Sequence, residues 1–373
     1  MTDTSDPIAR GLLPEGFRDR LAPQAAHAEA VVARLSAAIA AHGYDRIQPP
    51  LVEFEDGLTG RLSSVGAQDL LRLIDPLSQR TLALRSDITP QAGRIAATRL
   101  AGRPRPLRLS YAGSVLRVRP PQVGAEREAV QVGAELVGHD TLAAASEILT
   151  VALEALIAAG ATDLSVDITL PSLVGELAGS AWPVEDLDAV RAALDGKDQA
   201  ALAAVGGATY APLIDAAGPA ADAVAALRAA ALGDRFDARI DAAAELARRA
   251  GTHARVTLDP TERRGFEFQT WLGFSLFAGA ARGEIGRGGT YTIRHPDGRA
   301  EPAVGMSLFV DPLIADLPAA AAPDRIFLPP GTSPETGARL RSKTWVTVAA
   351  MTDADDPAAL GCTHIWRDGP VKL

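Results

Sequence analysis

Two stretches of this chain combine the residue types that bind a small zwitterion. In Gln131 to Val137 side chains alternate, so Val130, Val132, Ala134 and Leu136 take one face of an expected strand and Gln131, Gly133 and Glu135 take the other. An amide, a bare glycine and a carboxylate in a row make either a solvated strand face or the floor of a polar ligand site in which glycine leaves room. On the preceding strand Gly113, Val115, Arg117 and Arg119 share one parity, which lets two guanidinium groups lie on the face of Gln131 and Glu135. Arginine forks opposite a carboxylate suit an amino acid, the cations taking its carboxylate and the anion its ammonium or imidazole. An ordinary cross-strand ion pair is the alternative.

Other candidates are weaker. In Leu84-Arg85-Ser86-Asp87-Ile88-Thr89-Pro90, Asp87 and Thr89 stand two apart just before a helix. They are either ligand-binding groups or a helix start, with Thr89 as cap and Pro90 in the first turn. Gly286-Arg287-Gly288-Gly289 is either a plain hairpin turn or a backbone cradle for an anion. The chain has no phosphate-binding Gly-x-x-x-x-Gly-Lys-Ser/Thr loop, no Gly-x-Ser-x-Gly elbow and no His-Glu-x-x-His. Its six histidines are scattered and its one cysteine, Cys362, excludes an intrachain disulfide, so neither a metal nor a cofactor is expected.

The elements that position these groups follow from periodicity. Ala28, Val31, Val32, Leu35 and Ile39 recur at helical spacing within Gln24 to His42, and Gly43 stops the helix. Pro49-Pro50 forces the next segment to be extended. Period two over Leu107 to Gly138 predicts antiparallel strands joined through Pro120 to Arg127. A helix over Thr141 to Ala159 and a strand over Leu164 to Leu170 follow. Residues 171–252 form a helical insertion, broken at Gly206-Gly207 and Gly218-Pro219. Strands are expected again at Arg255 to Leu258 and after Phe266, with Pro302 to Leu317 closing a domain of residues 1–317. A small C-terminal α/β subdomain spans 323–373 as strand, helix, strand, helix over Pro357 to Leu360, and strand.

With 373 residues, 47% of them hydrophobic, the chain can bury a large core divided among two or three units. A formal charge of −9 disfavours nucleic acid as a partner. No apolar leader and no run of about 18 apolar residues is apparent, so neither secretion nor a membrane span is expected, and the cytoplasm is the expected compartment.

Taken in order, the motifs resemble those of the histidyl-tRNA synthetase family of class II synthetases. Leu13-Pro14-Glu15-Gly16-Phe17-Arg18-Asp19 is similar to the family's opening segment, and Tyr44-Asp45-Arg46-Ile47-Gln48-Pro49-Pro50 to motif 1, its dimer interface. Leu84 to Pro90 resembles the amino-acid-binding loop, Arg108 to Pro121 motif 2, and Gln131 to Gly138 the strand that holds histidine. Arg264-Gly265-Phe266-Glu267-Phe268-Gln269 falls where the family has Arg-Gly-Leu-Asp-Tyr-Tyr. Gly288-Gly289-Thr290-Tyr291 and Pro302 to Met306 resemble the approach to motif 3.

The resemblance implies an α+β fold, an antiparallel sheet flanked by helices, and a histidine site. In it Asp87, Thr89 and Gln131 hold the ammonium, Glu135 faces the imidazole, and Arg117 and Arg264 serve the carboxylate. Phe268 and Gln269 replace two pocket tyrosines. Three departures argue against aminoacylation. Motif 2 reads Leu116-Arg117-Val118-Arg119, without the carboxylate that contacts adenine. Motif 3 ends in Phe309-Val310-Asp311-Pro312, so proline replaces the arginine that clamps the triphosphate. The tail after Pro323 is short for an anticodon-binding domain. This is the profile of the synthetase paralogues that act as regulatory subunits of ATP phosphoribosyltransferase. Such a subunit is non-catalytic, dimerises through the motif 1 region, pairs with a short-form catalytic subunit and relays feedback by histidine. A divergent synthetase, or a paralogue that binds another amino acid or partner enzyme, is the alternative.

Overall fold

A computed structural model describes residues 13–59, 70–119, 126–263, 265, 269–279, 281, 283–317 and 323–373. The spacing of Ala28, Val31, Leu35 and Ile39 gives helix α1 (Gln24–Ala41), which buries that stripe. Burying each of the three larger side chains contributes about 1.5–3 kcal/mol. Beyond Gly43 come the two-residue strand β1 (Asp45–Arg46), strand β2 (Val52–Phe54), helix α2 (Glu55–Leu58) and strands β3 (Arg72–Ile74) and β4 (Thr81–Leu84). Strands β2, β4 and β3 form a small separate sheet. It leads into helix α3 (Thr89–Ala97).

The main sheet is built on a hairpin of β5 (Leu107–Leu116) and β6 (Glu128–Val137), paired in register from Leu107 opposite Val137 to Leu116 opposite Glu128. Helix α4 (Leu142–Ala159) packs on it, begun by the Thr141 side chain, which accepts from the Ala144 N–H, and ended by Gly160 in the left-handed region. Length and composition would let α4 cross a membrane, with a mean hydropathy of 1.8, but 61% of it is buried inside the protein. Its apolar surface thus serves a core, and a core helix passes the same test as a membrane span.

After β7 (Ser165–Thr169) comes the helical insertion: α5 (Leu173–Ala178), α6 (Leu187–Asp195), α7 (Gln199–Ala204), α8 (Ala211–Asp215), the short strand β8 (Gly218–Pro219), α9 (Ala220–Ala229) and α10 (Asp234–Ala250). Strands β9 (Arg255–Asp259), β10 (Gln269–Phe277), β11 (Gly286–Arg294) and β12 (Ala300–Phe309) and helix α11 (Val310–Asp316) complete the first unit. The nine-stranded sheet runs β1-β5-β6-β12-β11-β10-β7-β9-β8. All its central pairings, from β5 to β7, are antiparallel, the mixed architecture expected from the sequence.

Two expectations fail. The glycines at 286, 288 and 289 lie inside β11, opposite Leu308, Met306 and Gly305, and not in a turn. They are small because neighbours fill the space above them: a Cβ on Gly288 would come within 2.3 Å of the Phe274 ring. Pro357 to Leu360 forms turns, not a helix. Asp356 accepts the Ala358 N–H at 3.0 Å, and Gly361 at φ +67° ends the segment before a second helical turn can form.

The chain divides into Met1–Pro318 and Ala319–Leu373. The second unit has β13 (Arg325–Leu328), helix α12 (Pro334–Arg341), β14 (Val346–Ala349), β15 (His364–Trp366) and β16 (Pro370–Lys372). Its sheet order is β14-β13-β15-β16. Ile326, Leu328 and Leu340 form its core.

Candidate functional site

The register of the β5–β6 hairpin decides which side chains meet. Gly113 stands opposite Gln131, Tyr111 opposite Gly133 and Leu109 opposite Glu135, so the odd-numbered residues of both strands share one face. That face is not solvated: Gln131 is 2% exposed and Glu135 0%. The Tyr111 ring lies over Gly133, where a Cβ would sit 2.4 Å from it. Its hydroxyl donates to Glu135 Oε1 at 2.9 Å and lies 2.9 Å from Thr89 Oγ1 and 3.3 Å from Ser307 Oγ. From β11, the Tyr291 hydroxyl donates to Glu135 Oε2 at 2.6 Å.

Each oxygen of this carboxyl thus has a phenol partner, yet no arginine, lysine or histidine among the described residues pairs with it. Burial outweighs the hydrogen bonds and pushes the Glu135 carboxyl up to about 8. Burial, followed by the Glu135 charge, holds both tyrosine hydroxyls well above their ordinary range.

Alongside lies a second polar group. The Gln131 amide oxygen accepts the Ile88 N–H at 3.0 Å, and its nitrogen donates to Asp87 Oδ1 at 2.8 Å and to Ser307 Oγ at 2.6 Å. Asp87 Oδ1 also accepts the Thr89 N–H at 2.9 Å. Asp87, and not Thr89, is therefore the acceptor at the start of α3, and the Thr89 hydroxyl turns to Tyr111. Asp87 is oriented through one oxygen, which leaves Oδ2 without a hydrogen bond among the described residues. Arg85 holds this loop in place. Its guanidinium crosses Gly113 and donates to the carbonyls of Ser114 at 2.8 Å and Pro49 at 3.0 Å.

Arg117 follows the last residue of β5 and is half-buried, with its guanidinium carbon 5.5 Å from the Phe309 ring centroid. No carboxylate among the described residues is in salt-bridge range of it. Burial lowers its pKa, and the nearby Asp87 charge opposes that shift. Arg119 is exposed beyond the strand and does not join the site. Gln269 opens β10: its Nε2 donates to the Gly288 carbonyl at 2.9 Å, while Oε1 is buried with no hydrogen-bond partner among the described residues. Arg264 and Phe268 lie outside the described residues.

In α11, where the synthetase resemblance implies a triphosphate-clamping arginine and this chain has Pro312, Asp311 acts as a strut. Asp311 Oδ2 accepts the Val130 N–H at 2.8 Å, and Oδ1 pairs with Arg20. The Arg20–Asp311 pair is a neutral tie where the synthetase resemblance implies a cation for phosphate.

The structure thus joins Asp87, Thr89, Gln131 and Glu135 in one network, sets Arg117 and Gln269 by themselves, and adds Tyr111, Tyr291 and Ser307. Sequence reasoning missed the two tyrosines because periodicity treats a tyrosine on an alternating strand as core, and nothing in the local pattern marks Ser307. The signal was cross-strand pairing: Tyr111 opposes Gly133, and Tyr291 lies two residues from Gly289.

A profile described as histidyl-tRNA synthetase matches residues 16–313. The ATP phosphoribosyltransferase regulatory subunit of Rhodospirillum centenum is 44% identical over 384 aligned positions, covering 99% of this chain and 98% of that one. Its counterpart from Paramagnetospirillum magneticum is 44% identical over 386 positions, covering 100% of each. Among solved structures, an ATP phosphoribosyltransferase regulatory subunit/histidyl-tRNA synthetase from Bacillus halodurans C has a TM-score of 0.81 at 22% identity, covering 94% of this chain and 96% of that one, a likeness of fold. With full-length matches at this identity and a synthetase fold whose α11 carries Asp311 and Pro312 in place of a phosphate clamp, the chain belongs to the ATP phosphoribosyltransferase regulatory subunits of the histidyl-tRNA synthetase family.

Proposed function

We propose that this chain is a non-catalytic regulatory subunit of ATP phosphoribosyltransferase in the cytoplasm. It completes a short-form catalytic subunit at the first step of histidine biosynthesis and relays feedback by histidine. The observation that carries the reading is the contrast between the two ends of strand β6. Its amino-acid end keeps a buried carboxylate, an oriented Asp87–Gln131 pair and a half-buried arginine, while its phosphate end has become the Asp311 strut. In this reading the ligand ammonium meets Asp87 Oδ2, Thr89 and Gln131. Its carboxylate meets Arg117 and Arg264, and its ring enters between Glu135, Phe268 and Gln269.

Self-association uses the α1–β1 region. This is supported by the position of β1 at the edge of the large sheet, with both residues exposed. Histidine is expected to raise the melting temperature of the purified chain, because a ligand that binds only the folded state stabilises it. Mixing with a short-form catalytic subunit should yield a complex whose turnover histidine inhibits. Histidine-dependent exchange of pyrophosphate into ATP by the chain alone would overturn the assignment in favour of a divergent synthetase.

A further inference from the structure

We propose that a cleft on the far side of the large sheet is a second ligand site, fitted to the ammonium and carboxylate of a free α-amino acid. The cleft has a volume of about 280 Å3 and is lined by His42, Ala143, Ser146, Glu147, Thr150 and Arg249. Sites for drug-sized ligands run from about 300 to 1,000 Å3, so this one suits a small metabolite. It is separate from the proposed histidine pocket. Helix α4 shares a core with Val132, Ala134 and Leu136 of β6. These alternate along the strand with Gln131, Gly133 and Glu135, so the two places lie on opposite faces of the sheet.

The floor is one stripe of α4, which packs between α1 and α10. Ala143, Ser146, Glu147 and Thr150 recur at intervals of three and four, and helical side chains lean toward the N-terminus, so their polar ends gather near the first turn. One wall is the end of α1, where the His42 ring meets Glu154 Oε2 at 2.9 Å. The other is the last turn of α10, from which Arg249 Nη1 donates to Ser146 Oγ at 3.2 Å. Glu147 is fixed from behind. Its Oε1 accepts from the Tyr44 hydroxyl at 2.9 Å and from Arg108 Nε at 2.6 Å, and its Oε2 accepts from Arg108 Nη2 at 2.8 Å. The Arg108 bonds above all hold this carboxyl below its ordinary range, so it is an anion at neutral pH.

What these contacts leave over decides the ligand. Arg249 gives Nε to Glu245 Oε1 at 2.7 Å and one N–H of Nη1 to Ser146, and its other N–H groups have no partner among the described residues. The Ser146 hydroxyl accepts that bond and donates none among the described residues, although the residue is only 5% exposed. Thr150, half-buried, makes no side-chain hydrogen bond among them either. The Ala143 N–H lies in the first turn of α4, where amides lack a helical acceptor. Glu245 is shared by Arg248 and Arg249, which leaves one positive charge in surplus on the α10 side. On the α1 side Glu147 Oε2 accepts a single bond, and Glu154 has only the His42 ring as an ion-pair partner among the described residues. One wall therefore offers spare donors and the other spare acceptors. A simple anion would satisfy the first alone. An amino acid satisfies both, its carboxylate toward Arg249 and Ser146 and its ammonium toward Glu147 and Thr150.

The test is calorimetric titration of the full-length chain with each standard amino acid in turn. At least one should bind with an affinity that falls at least about tenfold in Arg249→Leu and in Thr150→Val, and that is unchanged in Asp87→Ala, which alters only the histidine pocket. Both cleft variants change side chains that reach solvent, and melting curves check that each still folds. The same amino acid without its ammonium, and without its carboxylate, should each bind at least about tenfold more weakly. An acid analogue or inorganic phosphate that binds as well as the amino acid would overturn the zwitterion assignment. Binding that Asp87→Ala abolishes and both cleft variants leave intact would belong to the histidine pocket and overturn the cleft as a site, as would no amino acid sensitive to Arg249 or Thr150. Loss of the histidine reading alone would show instead as histidine binding indifferent to Asp87→Ala.

Discussion

Two carboxylates held against strand β6 have different partners. Glu135 lies between two phenols with no cation paired to it among the described residues, whereas Asp311 is neutralised by Arg20 and fastened to the backbone of β6 at Val130. A carboxylate with a cation in place is a structural tie, while one without is a vacancy for a cationic ligand or a proton. The chemistry of the pocket therefore rests on where the arginines are. Arg20 is paired with Asp311, and Arg117 stands half-buried with no carboxylate in range among the described residues.

The contrast breaks most sharply at Glu135. Glu135→Ala should weaken histidine binding by about 3 kcal/mol, roughly a hundredfold, because it removes the ring's acceptor and strands two hydroxyls. Calorimetry reads the loss, and gel filtration with the catalytic subunit should show assembly unchanged.

A pH effect of the next size follows from Glu135→Gln. Because the folded pKa is about 8 against about 4.3 unfolded, the ligand-free native state holds more protons than the unfolded chain between those values. The stability contributed by this group is therefore present at low pH and lost as pH rises through that window. Glu135→Gln keeps the neutral shape and removes the loss. It should melt higher than the parent chain at pH 8 and close to it near pH 4.5; equal melting at both values would show that the carboxyl is not destabilised by burial.

At the other end, Asp311→Asn should lower stability by about 1–2 kcal/mol in urea denaturation, since Arg20 loses a part-buried partner while the Val130 N–H keeps an acceptor. Histidine affinity should not move. The smallest effect is expected for Tyr291→Phe, which keeps the ring and deletes one of the two hydroxyls on Glu135, at about 1 kcal/mol in stability. An Asp311 variant that weakens histidine as much as a Glu135 variant would erase the distinction between strut and vacancy.

Much of the scaffold was legible in local pattern. The stripe on α1, the ten-pair hairpin and the long apolar helix follow from spacing, because a residue's side depends only on its neighbours along the chain. Asp87, Thr89, Gln131 and Glu135 could be picked out because the first two flank a helix start and the last two share a strand parity. Tyr111 sits on that same parity, but a tyrosine there is as good a core residue as a ligand group until its hydroxyl is seen among Glu135, Thr89 and Ser307. The glycines of β11 misled for a related reason: with no partner strand in view, clustered glycine signals a turn, whereas here it signals crowding by Phe274 and Gln269.

By itself the sequence determined periodicity and the helix and strand succession, since both are properties of adjacent residues, whereas Pro312 in place of a clamp is what the resemblance to the synthetase pattern implies. Only the tertiary structure decided that both faces of β6 are buried, that two tyrosines from different strands meet one carboxyl, and that Asp311 lies against Arg20, 291 positions away. Those outcomes depend on strand register and on which charges are brought within a few ångströms of one another. A short-range pattern carries neither, because closing such long loops costs entropy that only the whole packed sheet offsets.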